Sequence, residues 1–314
     1  MGQVISLGHG IYQIDLVENG VPFRTSIYLI RGEKTVLIES GAAPSNPHIL
    51  SALEELGIDP AEIDALLVTH IHLDHAGGAG LLMSQCPNAT LFAHAKGCPH
   101  LVNPEKLIKS ARAVYGDLFE TYFAPILPIP AERVKVIQDG DEYDLGAGRK
   151  LKILESLGHA LHHVVFYDPE SSGIFTGDSA GVFFHPIQDD HGVKFSMPST
   201  SPTQFDPVSM GKSVQQMIDL APDRIYYTHF GMTESALDQL HTALELVPFF
   251  GEECVAFYQE HRSVEKLELF IQESLAKKLE PQGVPAGAEA LKSMNFDINL
   301  NAQGIAAYVA RLER

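Results

Sequence analysis

Tryptophan is absent from this chain, cysteine occurs three times in 314 residues, and 22 lysines and arginines face 40 aspartates and glutamates. Each shortage excludes something. Cys86, Cys98 and Cys254 are odd in number and scattered, which argues against a disulfide scaffold and fits reduced thiols in the core or at the surface. None sits in an activating motif, so a nucleophilic cysteine is not the expected basis of the chemistry. A formal net charge of −18 opposes binding to a phosphate backbone, which needs a footprint of lysine and arginine, and no nucleic-acid partner is expected. No apolar run approaches the roughly 18 residues that cross a bilayer. The start Met1-Gly2-Gln3-Val4 lacks a basic stretch followed by an apolar one, so a cytoplasmic protein free of membrane is expected, with a small molecule as its partner.

What the chain does contain is enough apolar material, 45% of its residues, for one large core or a core with an appendage. It also contains Thr69-His70-Ile71-His72-Leu73-Asp74-His75, three histidines and an aspartate within six positions. The apolar run Asp64-Ala65-Leu66-Leu67-Val68 precedes it, so the cluster sits where a buried strand gives way to a loop. His70 and His72 alternate by two and can share a metal, while Asp74 and His75 lie on the following turn and can face a second. Three further strand-like runs end in donors beside glycine: Lys150–Glu155 before Gly158-His159, Gly173–Gly177 before Asp178, and Arg224–Thr228 before His229.

In this order the residues resemble the metallo-β-lactamase superfamily, with its HxHxDH, GH, GD and final H, over roughly residues 10 to 250. The resemblance implies that His70, His72 and His159 hold one metal, that Asp74, His75 and His229 hold a second, and that Asp178 bridges them. Neutral imidazole and carboxylate suit two divalent ions, zinc first, with iron and manganese open. It further implies an α/β fold, a four-layer αββα sandwich of the metallo-β-lactamase type, over residues 1–250; the pattern ends there, and residues 251–314 read as a helical C-terminal appendage. Glu39 stands where relatives usually carry aspartate. There and at His163 the resemblance places groups behind the ligands, Glu39 orienting His70 or His72. His162 is expected at the solvent or lining the pocket. The nearest subgroup, little-characterised bacterial and archaeal metallo-hydrolases sharing the stretches Gly97–Leu107 and His163–Asp168, carries no substrate with it. β-lactam hydrolases typically lack the full seven-donor set.

Periodicity fills in the rest. Strands are expected over 10–16, 24–31, 35–39, 89–93, 134–137, 150–155, 163–167, 173–176 and 224–228. Helices are expected over 47–56, 75–85, 105–123, 206–220 and 233–249. Beyond residue 250 one amphipathic helix spans 263–275 and a last one runs from about Gln303 to Leu312, surfaces that permit a homodimer. Lys106, Lys109 and Arg112 read as a solvated helix face. The polar segment from Asp178 to Asp206, including Ser196 to Pro202, reads as a loop walling the substrate, with Phe183, Phe184 and His185 as its candidate wall residues. The expected activity is metal-dependent hydrolysis, in which a hydroxide bridging two metals attacks a carboxylic ester, thioester or lactone, or less readily a phosphodiester, while Asp74 orients the water and carries its proton. The alternative is an iron-dependent oxidoreductase resembling the persulfide dioxygenases, built on one iron. Flavin-coupled di-iron reductases resemble the chain less, since the roughly 60 residues after the core leave no room for their flavodoxin-like domain.

Overall fold

The β-branched and aromatic runs near the N-terminus form strands that hydrogen-bond in chain order. The computed structural model describes residues 3–200 and 204–314, gathered into two units: Met1–Glu155 with His162–Gly177, and Ser156–Leu161 with Asp178–Arg314. In the first unit, β1 (Val4–Gly8), β2 (Ile11–Asp15), β3 (Ser26–Arg31) and β4 (Thr35–Ile38) run antiparallel as a meander. Helix α1 (Asn46–Glu55) then crosses to β5 (Ile63–Leu67), which lies parallel to β4. Short helices α2 (Leu73–Ala76) and α3 (Ala79–Gln85) lead to β6 (Thr90–His94), and α4 (Cys98–Val102), α5 (Glu105–Tyr115) and α6 (Leu118–Tyr122) lead to β7 (Val134–Ile137). The result is a mixed seven-stranded sheet in the order β1 to β7. Helix-length connections are what parallel neighbours require.

The same unit holds four antiparallel strands, β8 (Glu142–Gly146), β9 (Arg149–Glu155), β10 (Val164–Asp168) and β11 (Gly173–Gly177). They face the first sheet through aromatic contacts, Tyr28 on Phe175 at 5.3 Å and Phe92 on Tyr143 at 5.1 Å between centroids. On the other face of the first sheet, Ile49, Ala52 and Leu53 of α1 and Leu82 and Met83 of α3 bury against Leu37, Leu66 and Leu91. Two covered faces explain why β4 and β5 read as continuous apolar runs rather than alternating ones. A buried guanidinium–carboxylate pair lies here: the Arg149 guanidinium meets Asp168 at 2.6 Å, and Asp168 also accepts from Ser171. Burial acts against this carboxylate, but hydrogen bonds from Arg149 and Ser171 together with the Arg149 charge outweigh it and hold its pKa below the ordinary range.

The second unit contains β12 (Val182–Phe183), α7 (His185–His191), β13 (Ser196–Met197), α8 (Pro207–Asp219), β14 (Arg224–Tyr227), β15 (Gly231–Thr233), α9 (Ala236–Pro248), α10 (Cys254–His261), α11 (Val264–Leu279) and α12 (Asn295–Leu312). Helix α11 starts at Ser263, whose side chain caps Lys266 N, and buries Leu267, Ile271, Leu275 and Leu279 on one stripe. Against it α12 buries Ile298, Ala302, Ile305 and Val309.

Several expectations change. The helix foreseen over 105–123 is two helices, α5 and α6, parted at Gly116 with its φ of 55°. The helix foreseen over 75–85 is two helices, because Gly77 and Gly78 interrupt it and Gly78 N donates to Gly41 O at 2.8 Å. The segment after Asp178 is a β12–β13 ribbon enclosing α7 rather than an open loop: Pro186 sits in the first turn of the helix, Gly192 in the left-handed region ends it, and buried Ile187, Phe195 and Met197 anchor it. Ser201 and Pro202, foreseen as part of that loop, lie outside the described residues, as do Met1 and Gly2. The last helix begins at Asn295, eight residues before the expected start. Among the described residues no helix is long and apolar enough to cross a membrane.

Candidate metal centre

Parallel pairing of β4 with β5, with Ile38 opposite Leu67, brings the chain out of two adjacent strands side by side at Glu39 and Val68. Glu39 N donates to Leu67 O at 2.8 Å, and Val164 N donates to Thr69 O at 2.8 Å. The backbone is thus fixed where the donor motif begins. His72 is extended and starts α2, whose single turn carries Asp74 and His75. The His75 carbonyl accepts from Ser40 N at 2.9 Å and Ser40 Oγ at 3.0 Å.

Within this unit the imidazoles crowd together. His70 Nε2 and His72 Nδ1 are 3.0 Å apart, and the His70 and His75 ring centroids are 4.1 Å apart. Two nitrogens about 2.0–2.1 Å from one tetrahedral ion would be separated by about 3.3 Å, so the His70–His72 pair fits a shared metal. His75 is fully buried, while Asp74 keeps 29% of its side chain exposed and holds Oδ2 3.7 Å from His75 Nε2. One protected donor beside one open to solvent is what a site needs if a reactant is to enter.

Glu39 is completely buried and adopts a φ of 71°, in the left-handed region. A non-glycine residue is costly there and tends to be kept where it aims a side chain. Its carboxylate accepts from Thr69 N at 3.3 Å and from the Thr69 hydroxyl, and meets His75 Nδ1 at 3.3 Å. The Thr69 hydroxyl also lies 3.0 Å from His70 Nδ1. Glu39 therefore reaches His75 directly and His70 through Thr69, a relay that motif spacing does not reveal. Donor atoms of Glu39, His70 and His75 also lie within 4.8 Å of one another, close enough to hold an ion themselves. His163 is fully buried with its ring stacked on His70 at 4.6 Å. His162 is buried rather than at the solvent, lying over His70 at 6.2 Å and edge-on to His72 at 5.7 Å. A residue that composition did not flag, Tyr115 at the end of α5, packs its ring on Phe123 at 4.7 Å. Burial, with the Asp74 and Glu18 carboxylates nearby, pushes its phenol pKa up. Lys106, Lys109 and Arg112 are exposed, and Arg112 pairs with Glu120.

The second unit assembles its donors from distant places. His159 follows Gly158, whose φ of 125° and close approach to the Met210 backbone exclude a side chain. Asp206 N donates to Gly158 O at 2.8 Å and Ser213 Oγ to Leu157 O at 2.7 Å, tying this segment to the start of α8. Asp178 is buried with one oxygen toward each of two imidazoles: Oδ2 is 3.2 Å from His159 Nε2 and Oδ1 is 3.5 Å from His229 Nε2. A carboxylate placed in this way can serve two cations at once. Of the foreseen wall residues, Phe183 is stacked on Tyr227 at 5.4 Å and Phe184 on Phe195 at 6.2 Å, both buried, whereas His185 is half-buried against Phe230 at 5.3 Å. In both units the clustered histidines and aspartates are consistent with metal binding.

A family model described as the metallo-beta-lactamase superfamily matches residues 20–229. The chain belongs to the metallo-beta-lactamase superfamily. It is 28% identical over 237 residues to the metallo-beta-lactamase fold-containing protein ST1585 of Sulfurisphaera tokodaii, spanning 74% of this chain and 82% of that one. The crystal structure of ST1585 aligns with a TM-score of 0.62 over 76% of this chain and 85% of the other. The metallo-beta-lactamase family protein TTHA1429 of Thermus thermophilus shares the fold over 98% of this chain and 95% of its own, at 18% identity and a TM-score of 0.66. A nitric oxide reductase of Moorella thermoacetica is 25% identical over 194 residues, 58% of this chain but only 43% of the reductase. The α/β architecture with two sheets and C-terminal helices is thus that of the superfamily.

Proposed function

We propose that the clustered histidines and aspartates hold two divalent ions, most readily zinc, and that the protein hydrolyses a carboxylic ester, thioester or lactone of a small molecule. The observation that carries this reading is Asp178 between His159 and His229, one oxygen toward each. A carboxylate used by a single ion needs only one of those neighbours. Bound there, the ions would supply a water ionised near neutral pH and would polarise the oxygen of the electrophile.

The chain's own residues have distinct tasks. Asp74, partly exposed beside His75, orients the attacking water and takes its proton toward the leaving atom, which needs a carboxylate with one oxygen accessible. Glu39 accepts from His75 Nδ1, so that the His75 ring turns its other nitrogen outward as a neutral donor. His70, His72, His75, His159 and His229, with Asp74 and Asp178, are the proposed ligands. His163 and Glu39 support them.

The test is hydrolysis of an ester, thioester, lactone and phosphodiester panel by the zinc-loaded chain and by Asp74→Asn and His159→Ala. Activity lost in both variants supports the reading, and activity that survives both overturns it. Likeness to a nitric oxide reductase favours a second reading, redox chemistry on iron in the same donor frame. Oxygen or nitric oxide consumption by the iron-loaded chain, or oxygen uptake with a persulfide, in the absence of any hydrolysis would move it first.

A further inference from the structure

We propose that Asn301, on the C-terminal helix α12, is a positioning residue for the metal-binding imidazole of His159. The proposal rests on the reading of His159 as a ligand, and every contact it uses lies within the second unit.

His159 lies in a stretch that belongs to no helix or strand, so its ring is aimed by what it touches. Its Nδ1 is 2.9 Å from Ser199 O. A carbonyl oxygen only accepts, so Nδ1 carries the proton and the lone pair is left on Nε2, the nitrogen that faces Asp178 at 3.2 Å. Ser199 thus sets both the tautomer and the tilt of the ring. Yet Ser199 also lies outside any regular element, just after β13.

Asn301 supplies the rigidity. The side chain is 2% exposed. Its Oδ1 accepts from Thr200 N at 2.7 Å, and its Nδ2 donates to Pro198 O at 2.9 Å. The residues on either side of Ser199 are therefore held by the two ends of one amide, and their fixed roles as donor and acceptor decide which end is oxygen. Thr200 Oγ1 returns a hydrogen bond to Asn301 O at 3.0 Å. Such close approach of a helix to a strand end needs a missing side chain: a Cβ on Gly304, one turn further along, would collide with the Thr200 hydroxyl and carbonyl. Further along α12, Arg311 donates to Phe205 O and Tyr308 packs edge-on to Phe205 at 5.5 Å. The tail helix is built to hold this segment, and the imidazole of His159 is what the segment holds.

The test compares zinc affinity, by competition with a chromophoric chelator, among the full-length chain, Asn301→Leu, Gly304→Ala and Val309→Ala. Asn301→Leu keeps the volume and loses the amide; Gly304→Ala pushes the helix off Thr200; Val309→Ala, on the buried stripe of the same helix, weakens packing alone. Asn301→Leu and Gly304→Ala should each lose affinity by roughly 10- to 100-fold, the range seen when a group behind a metal ligand is removed. Val309→Ala should lower Tm and leave affinity unchanged. Nitrogen NMR of the metal-free chain gives an independent readout: the His159 Nδ1 proton should exchange slowly in the parent and Val309→Ala chains and quickly in the other two. If Asn301→Leu does not fold, Gly304→Ala decides. Unchanged affinity and an unchanged His159 proton in the amide and glycine variants, or an equal loss in Val309→Ala, overturns the proposal. A parent chain that takes up no zinc overturns the functional reading instead, and with it the role given to His159.

Discussion

The two donor sets are built by opposite means. In the first unit His70, His72, Asp74 and His75 follow one another on the exit of a buried strand, and short-range constraints aim them: parallel strand ends, one helical turn, and Glu39 with Thr69 behind. In the second, His159, Asp178 and His229 are far apart in sequence, two imidazoles meet one carboxylate, and α8 and α12 hydrogen-bond the segments around His159. Metal affinity in the first unit should accordingly depend on residues near the motif, and in the second on residues more than a hundred positions away.

The largest effect expected is from Asp178→Ala, which removes the carboxylate lying between two imidazoles. Both ions should be lost on dialysis, with hydrolysis at background, as read by elemental analysis of the dialysed chain. Next is Arg149→Met, which strands the fully buried Asp168 carboxylate in the first unit and should cost about 3–5 kcal/mol in urea unfolding. It should leave the affinity for metal unchanged, separating fold stability from donor placement. The same pair sets a pH dependence. Since the Asp168 pKa is lowered on folding, its contribution is fully present above the ordinary aspartate value of about 3.9 and is lost as pH falls through the lower folded value. Unfolding free energy measured from pH 6 downward should show that loss in the parent and not in Arg149→Met.

A smaller change is expected for Glu39→Gln, which keeps the shape but removes the charge facing His75 Nδ1. Metal affinity should fall by about tenfold, the low end for a group behind a ligand, while the His159 Nδ1 proton stays as it was. The smallest effect is from thiol reagents. Burial pushes the Cys86 thiol up to about 11 and raises those of Cys98 and Cys254, so alkylation at pH 8 should be negligible in the native chain and complete in denaturant.

The first donor set was legible in the sequence because each of its constraints is local: an apolar run, a turn, and donors at strand and helix spacing. The family's fold followed from the order of the same motifs. What could not be read depended on contacts between remote residues. Motif spacing does not show that Glu39 reaches past the loop to His75, since that follows from parallel register between β4 and β5. The helix break at Gly77-Gly78 comes from a bond to Gly41, and α7 was hidden in a segment whose polar composition looked like loop. Asn301 left one trace, a polar residue on the buried face of an otherwise apolar helix, but a helix taken to begin at Gln303 leaves it outside.

The most direct measurement is the metal content, element by element, of the full chain purified without added metal and again after dialysis against zinc. Close to two ions per chain, zinc among them, and both lost in Asp178→Ala, is the expected result. A chain that holds no metal in either state contradicts the proposed two-metal reading, and one that holds a single iron and takes up no second ion contradicts it equally.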